Sequence, residues 1–425
     1  MGIIQRWFLL ALLFSIGLKG QVEPIQDSSI ASTRIWVVAL PFSLAQDSVK
    51  ILGDEAYVAH NRMATQFYTG FRAGVDSLNE AGAHIELVLV AHDEYNDTYL
   101  WQRSGDGSGD FLQAYDVSSF MQKCEQIGAE KIIGPFRGSS SERLSEESTT
   151  IPVINPVSRT IEVGNRPWLW AAASERMAEV QVLGQRAAVA KSRAPQSQTI
   201  LLQDASGSDE AFLDAYVQAG GKSTDLILLD PTIPGFSFTL YHASSNFIRV
   251  VSLSEKVLTT AKILSTMRGF DAKRVEFWTV GQSITSSALD AQLLMRQPVV
   301  WAQVERLDYI QFKTLDALLY AEAKTTPGRW EWLGLDMAWF AHYALDHKPL
   351  AFEGPRRVYL WHHPEKGGYV NHAALVFRYD QKGGIQPQWT PSVDYAADEM
   401  IGSEPILEEN KRLGVPIDSI IQKPR

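Results

Sequence analysis

The sequence predicts an α/β protein of two doubly wound lobes, and three observations carry the prediction. Apolar runs of strand length alternate with single amphipathic helical segments. The alternation breaks once, where Pro, Gly and Asn collect between Pro156 and Pro167, and then starts again. The chain has 425 residues, 45% of them hydrophobic, enough to bury more than one core.

The first strand is the apolar run Ile35 to Leu40 in RIWVVALPF. In ATQFYTGFRAGVDSLNEAGA, Phe67, Phe71, Val75 and Leu78 recur at helical spacing, so a helix runs to about Gly82. IELVLVAHDEYND is a second strand, SSFMQKCEQIG a second helix, KIIGPF a third strand, SSERLSEEST a third helix and IPVINP a fourth strand. Strands joined by single helices require right-handed crossovers and an open parallel sheet covered on both faces. The second block repeats the rhythm: the helix ERMAEVQVLGQRAAVAK, the strand QTILLQD, the helix DEAFLDAYVQAGG, and the strands DLILLDP and NFIRVVSL. The helix SEKVLTTAKILSTMRG and the strand RVEFWTV continue it. After QPVVWAQV come helices over DYIQFKTLDALLYAEA and LDMAWFAHYAL, then two strand-like runs in RRVYLWHHPEKGGYVNHAALVFRYD.

Acidic residues outnumber basic ones 49 to 39, a net charge of -10 with no basic block, which excludes an electrostatic nucleic-acid footprint. In MGIIQRWFLLALLFSIGLKG, Arg6 precedes an apolar run that closes on a small residue, as a secretory signal does. The run is short for a membrane span, and no Cys follows it, so the mature protein is expected to be exported, soluble and not lipidated. The single cysteine, Cys124, shares a helix face with Phe120 and Met121 and reads as a buried thiol.

No motif of a catalytic nucleophile is present: there is no GxSxG elbow, no HExxH helix and no GxxxxGK[ST] loop, and the chain reads as a non-enzyme. GxGxxG is missing after the first strand, where LPFSLAQ stands, and no cofactor is expected. SGDGSGD reads as a loop, because Phe111 stands where a calcium loop needs Gly. His362 and His363 point to opposite faces of a strand and have no third ligand at metal spacing, so no metal is expected. Asp93 and Glu94 follow the second strand, where a carboxylate either reaches a ligand crevice or stays solvated in the loop.

The segment KIIGPFRGSSSERL, residues 131–144, remains. A strand ends near Ile133, Gly134 and Gly138 free the backbone, and Ser139 to Ser141 sit where a helix starts. Free N–H groups at that end can cradle an anion. Ser139 with Glu142 also fits the S-x-x-E capping box, which satisfies those donors internally, and the residues alone leave both readings open.

In order and spacing, IIGPFRGSSS, VINPVSRT, WLWAAAS, FIRVVSLSEKV, VEFWTVGQ and HPEKGGYVNHAALVFRYDQKGG resemble the type I periplasmic binding proteins, the leucine/isoleucine/valine-binding group and its receptor-like relatives. The resemblance covers about Arg34 to Gly384. It implies Rossmann-like lobes joined by a three-strand hinge, with a small polar or anionic ligand held between them for a membrane permease or a sensor. The implied segments are 1–20 signal peptide, 21–33 linker, 34–157 with about 286–348 as the first lobe, about 158–285 with 355–384 as the second, and 385–425 as an extension.

Position by position, the resemblance places Ser139, Ser140 and Ser141 in the first ligand loop, and Val157, Ser158 and Arg159 in the second. From the other lobe it places Asp204 to Gly207, Leu253 to Glu255 (with Ser254), and Thr279 to Gln282. The family's acid in that last loop is replaced by T-V-G-Q, so a ligand ammonium lacks its partner unless Glu255 or Asp204 supplies one. Arg159 stands where the family usually has a small or hydroxyl residue and offers a bidentate contact to an anion, or else fills the cleft. The same fold serves in an outer-membrane lipoprotein domain that activates a peptidoglycan synthase, which gives the alternative reading: a cell-envelope partner with a degenerate pocket. Trp330 and Trp332 are candidate surface aromatics for it.

Overall fold

The structure is a computed structural model, and it describes residues 33–42, 54–103, 111–203, 208–231, 247–285, 288–294, 296–306, 319–324, 326–347, 351–362, 367–379 and 385–389. The expected signal peptide, most of the linker, the SGDGSGD loop, most of the helix over DYIQFKTLDALLYAEA and most of the extension lie outside them.

The described strands form two sheets. The first begins with β1 (Arg34–Leu40), which pairs in parallel with β2 (Ile85–Asp93) on one side and β5 (Ala129–Ile133) on the other. Alternate side chains of β1 enter two different cores. Trp36, Val38 and Leu40 face α1 (Asp54–Glu80), while Val37 and Ala39 face α2 (Val117–Gln126) and α3 (Gly138–Glu147). A run apolar on both faces is what a parallel strand covered by two helix layers needs.

Between β2 and α2 the chain adds an antiparallel hairpin, β3 (Thr98–Arg103) and β4 (Phe111–Tyr115). The sequence rhythm did not reveal it. Parallel pairing continues through β6 (Val153–Asn155) and β7 (Leu169–Ala171). β7 lies beyond the proline-rich segment yet still pairs with β6, and the chain enters α4 (Arg176–Arg193) only after Ala172–Glu175.

In the second sheet β8 (Gln198–Leu202) pairs with β9 (Leu226–Leu229) and β10 (Ile248–Ser252), and α5 (Ser208–Gln218) joins β8 to β9. β11 (Val275–Val280) and β12 (Val299–Gln303) extend it in parallel, with α6 (Val257–Met267) before β11 and α7 (Gly281–Ile284) and α8 (Ala291–Leu294) between β11 and β12 in the chain. Its strands also feed two cores: Leu201, Val251 and Trp278 pack with α4 and α5, and Ile200, Val250 and Phe277 with α6.

The chain then returns to the first lobe, where α9 (Arg329–His347) lies against α1. β13 (Ala351–Glu353), β14 (Val358–His362) and β15 (Tyr369–Asn371) all join the first sheet. β16 (Leu375–Tyr379) and β17 (Ile385–Trp389) finish on the second, so the stretch RRVYLWHHPEKGGYVNHAALVFRYD holds three strands, β14, β15 and β16, rather than two and crosses sheets at His372–Ala374.

The crossovers are tied together by side chains. Asn371 Oδ1 accepts from the amides of Leu360 (3.0 Å) and Ala373 (2.9 Å), while its Nδ2 donates to the carbonyls of Ala172 (3.1 Å) and Val358 (3.2 Å). Ser174 Oγ donates to the Ala373 carbonyl at 2.6 Å. Glu305, just past β12, pairs with Arg329, Arg356 and Arg357, and Arg357 also donates to the Pro156 carbonyl at 2.6 Å. Those guanidinium groups hold the Glu305 carboxyl well below the usual range although burial acts in the other direction. Burial pushes Asp336 up to about 7, against donors from Tyr359 Oη (2.6 Å) and the Arg356 amide (3.2 Å).

Candidate functional site

The end of β5 delivers the serine loop. Gly134 takes φ +94°, and a Cβ there would lie 2.1 Å from the Ala39 carbonyl oxygen, so only glycine lets the chain pass β1. Helix α3 then starts at Gly138 with Arg137 as its N-cap, and no side chain caps it. The S-x-x-E capping box is therefore not made: Glu142 turns away and accepts the Glu162 amide at 2.8 Å.

The three serines separate. Ser139 is exposed on the first turn. Ser140 is buried with its hydroxyl toward Asp97, which also receives His92 Nε2 at 2.9 Å and Arg143 at 2.7 Å. Burial raises the Asp97 carboxyl, but these donors and the Arg143 charge together bring it below its ordinary value. Ser141 is buried and structural, donating to the Pro135 carbonyl (2.8 Å) and accepting from Asn155 Nδ2 (2.9 Å).

Asn155, at the end of β6, organises the second loop. Its Oδ1 accepts the amides of Val157 (3.0 Å) and Ser158 (2.7 Å), and its Nδ2 also reaches the Pro135 and Phe136 carbonyls. The two loops meet where Ser158 passes Gly138; a Cβ on Gly138 would lie 2.7 Å from Ser158 Oγ. Arg159 emerges from this junction half-buried. Its Nε donates to the Ser174 carbonyl at 3.2 Å, and its Nη2 lies 3.0 Å from Glu179 Oε1.

Glu179 belongs to α4, whose neighbouring side chains pack in the core of the second sheet, so this ion pair joins a loop of one lobe to a helix of the other. Glu179 is 2% exposed. Burial raises its carboxyl to about 7; the Glu255 charge adds to the rise, and Arg159 and the Val304 amide oppose it. Glu255, after β10, is itself held by Arg176 Nε at 3.1 Å, and Arg176 donates further to the Leu253 carbonyl at 3.1 Å.

Of the expected ligand residues, the structure thus gathers Ser139, Ser158 and Arg159 on one lobe, with Glu255 of the other lobe across Glu179. Ser254 is buried and accepts the Lys256 amide at 3.3 Å, Gln282 stands exposed on α7, and Asp204 lies outside the described residues. The sequence reading missed Glu179, Arg176 and Asn155. A signal existed for the first: Glu179, Leu183 and Ala187 follow one another at four-residue spacing, an acid on an otherwise apolar face.

Other candidates resolve simply. Asp93 accepts the Tyr95 amide (3.0 Å) and Asn96 Nδ2 (2.9 Å), and Glu94 faces His60 at 3.5 Å. Trp332 is buried and Trp330 packs near Phe136, so neither is a free surface aromatic. Cys124 is buried beside Phe120 and Met121. His362 is exposed near His372, and His363 lies outside the described residues. Among the described residues no group of three or more His, Cys, Asp or Glu could hold a metal ion, and no helix is long and apolar enough to cross a membrane.

No protein-family model matches the chain, and no curated protein matches it. Solved structures do. The LpoA (YraM) C-domain from Haemophilus influenzae, a regulator of PBP1A, superposes with a TM-score of 0.50 at 12% identity over 84% of this chain and 100% of that domain. Full-length LpoA from the same organism gives a TM-score of 0.51 at 12% identity over 85% of this chain, which spans 59% of that protein's length. A substrate-binding protein of an ABC transporter from Desulfitobacterium hafniense, in complex with Leu, aligns over 84% of this chain and 100% of its own at 12% identity and a TM-score of 0.46. The chain has the two-lobed fold of the type I periplasmic binding proteins.

Proposed function

We propose that this chain is a non-catalytic, extracytoplasmic solute-binding protein that captures a small polar or anionic ligand between its lobes for a membrane permease or sensor. The observation that carries the reading is Arg159. Its guanidinium leaves one lobe, is steered by the Ser174 carbonyl at the crossover, and is held at 3.0 Å by a carboxylate of the other lobe. A cation shared in this way is where an anionic ligand would couple the two lobes. Ser139 and Ser158 beside it, and Glu255 opposite, complete the proposed ligand set, with Ser140, Ser141 and Ser254 as supports; Gln282, exposed on α7, and Asp204, outside the described residues, stay in the proposed set. Export through the N-terminal signal to the periplasm, without lipid attachment, belongs to the same reading.

Thermal-shift screening against amino acids, small anions, sugars and muropeptides tests it, because a ligand that binds only the folded state raises its stability. Arg159→Ala should weaken a binding anion by about tenfold to a hundredfold; unchanged affinity removes Arg159 from the site. A second reading has its own support: Arg159–Glu179 and Arg176–Glu255 satisfy the cleft's charges without a ligand, as a retired pocket would. In that case the protein works as a cell-envelope partner, the role that the name of the LpoA domain, a regulator of PBP1A, describes for that neighbour. A flat thermal response together with specific capture of a peptidoglycan synthase would decide for the second reading.

A further inference from the structure

We propose that Glu179 is the specificity-determining counter-ion of the interlobe site: its carboxylate occupies the anion position on Arg159, and an anionic ligand binds by replacing it while Glu179 takes up a proton. The inference rests on the capture reading above and deepens it.

The geometry supplies the parts. Glu179 Oε1 lies 3.0 Å from Arg159 Nη2, whereas the buried Oε2 has no hydrogen-bond partner. A buried carboxylate satisfied at one oxygen only is a poorly stabilised anion. The charged groups facing it are Arg159 from the loop after β6 and Glu255 from the loop after β10, with the Val304 amide after β12 as a donor. Glu255 has a guanidinium of its own, Arg176 at 3.1 Å, so of the two acids Glu179 is the one left to share a single cation with an incoming ligand. Burial and the Glu255 charge have already raised its carboxyl to about 7, where the proton is exchanged at neutrality.

The charge balance is closed. Before binding the pair is Arg⁺ with Glu⁻; afterwards it is Arg⁺ with the ligand anion, and Glu179 is a neutral acid whose proton comes from solvent. No covalent bond between heavy atoms forms or breaks. The site so built selects a monoanion such as a carboxylate: a neutral ligand cannot displace Glu179, and a ligand that leaves Glu179 ionised brings two negative charges against one guanidinium.

Calorimetric titration of the full chain with acetate, lactate and sulfate, between about pH 6 and 8.5 in paired buffers of different ionisation enthalpy, reads the proton directly. The expected result is proton uptake that is small near pH 6 and approaches one per anion bound above about pH 7, where affinity falls about tenfold per pH unit. Glu179→Gln should bind the same anion more tightly, with no proton uptake and no pH dependence. Binding to Glu179→Gln but not to the wild type at high pH supports the counter-ion role as well. Binding that requires Arg159 yet takes up no proton overturns that role and leaves the capture reading standing. Absence of binding by all three anions to both proteins overturns the inference together with its anion-capture basis.

Discussion

At the scale of single residues, charge burial is the dominant theme. Glu179 and Asp336 both have carboxyls raised to about 7, from ordinary values of 4.5 and 3.8. A raised folded value means that the stabilising, protonated form is fully present below the unfolded value and is lost as pH rises through the folded one. For Glu179 that window runs from 4.5 to about 7. Thermal unfolding of Glu179→Gln should therefore show a gain over the wild type that grows between about pH 5 and pH 8, approaching ~3 kcal/mol. A difference that is flat with pH would show that Glu179 does not titrate in that window. Glu305 has the opposite sign: its carboxyl is depressed, so its contribution is present above 4.5 and is lost only in strong acid.

At the scale of elements, the closest helix contact is that of α1 with α9. A Cβ on Gly334 would lie 2.0 Å from the Phe67 carbonyl oxygen, and one on Gly70 would lie 1.8 Å from that of Glu331. Both contacts are with backbone, which cannot swing aside. Gly334→Ala should thus cost ~2–3 kcal/mol by urea unfolding, while Gly269→Ala, where a methyl meets open space, should be near neutral. Equal small effects at both positions would refute the close-packing account. The long elements were legible because β1, β8, β10 and β11 are apolar on both faces and α1 carries an apolar stripe. The hairpin β3–β4 was not, because TYLWQR and FLQAY are short and sit among turn residues. Three-residue strands such as β7 and β15 carry no period at all; their neighbours create them.

At the scale of the whole molecule, two sheets are joined by crossovers that share side chains. Asn371 alone bridges β14, the Ala172 crossover and the His372–Ala374 crossover through four hydrogen bonds. Asn371→Ala would leave four buried backbone groups without it, for an expected loss of ~2–4 kcal/mol. Urea unfolding followed separately by the tryptophans of each lobe should then show the two transitions drawing apart. A single unshifted transition would show that other crossover contacts suffice. The Glu305 network beside it explains why one acid is surrounded by three arginines: it ties β12 of one sheet to the segment before β14 of the other.

The sequence by itself determined the α/β rhythm, the two lobes and the serine loop, because those depend on hydrophobic period and on glycine, which act locally. It also offered Arg159 as a candidate charge for the space between the lobes. The tertiary structure decided what Arg159 meets: Glu179 is twenty residues further along the chain, on a helix of the other lobe, and its fate follows from burial rather than from any motif. The same holds for the serines. Local spacing offered a capping box, but the packing of α3 against β6 turned Ser140 and Ser141 inward, leaving Ser139 alone to face solvent. Pattern fixes which residues can be buried together, whereas only the closed fold sets which charge loses its water, and that loss is what gives Glu179 its chemistry.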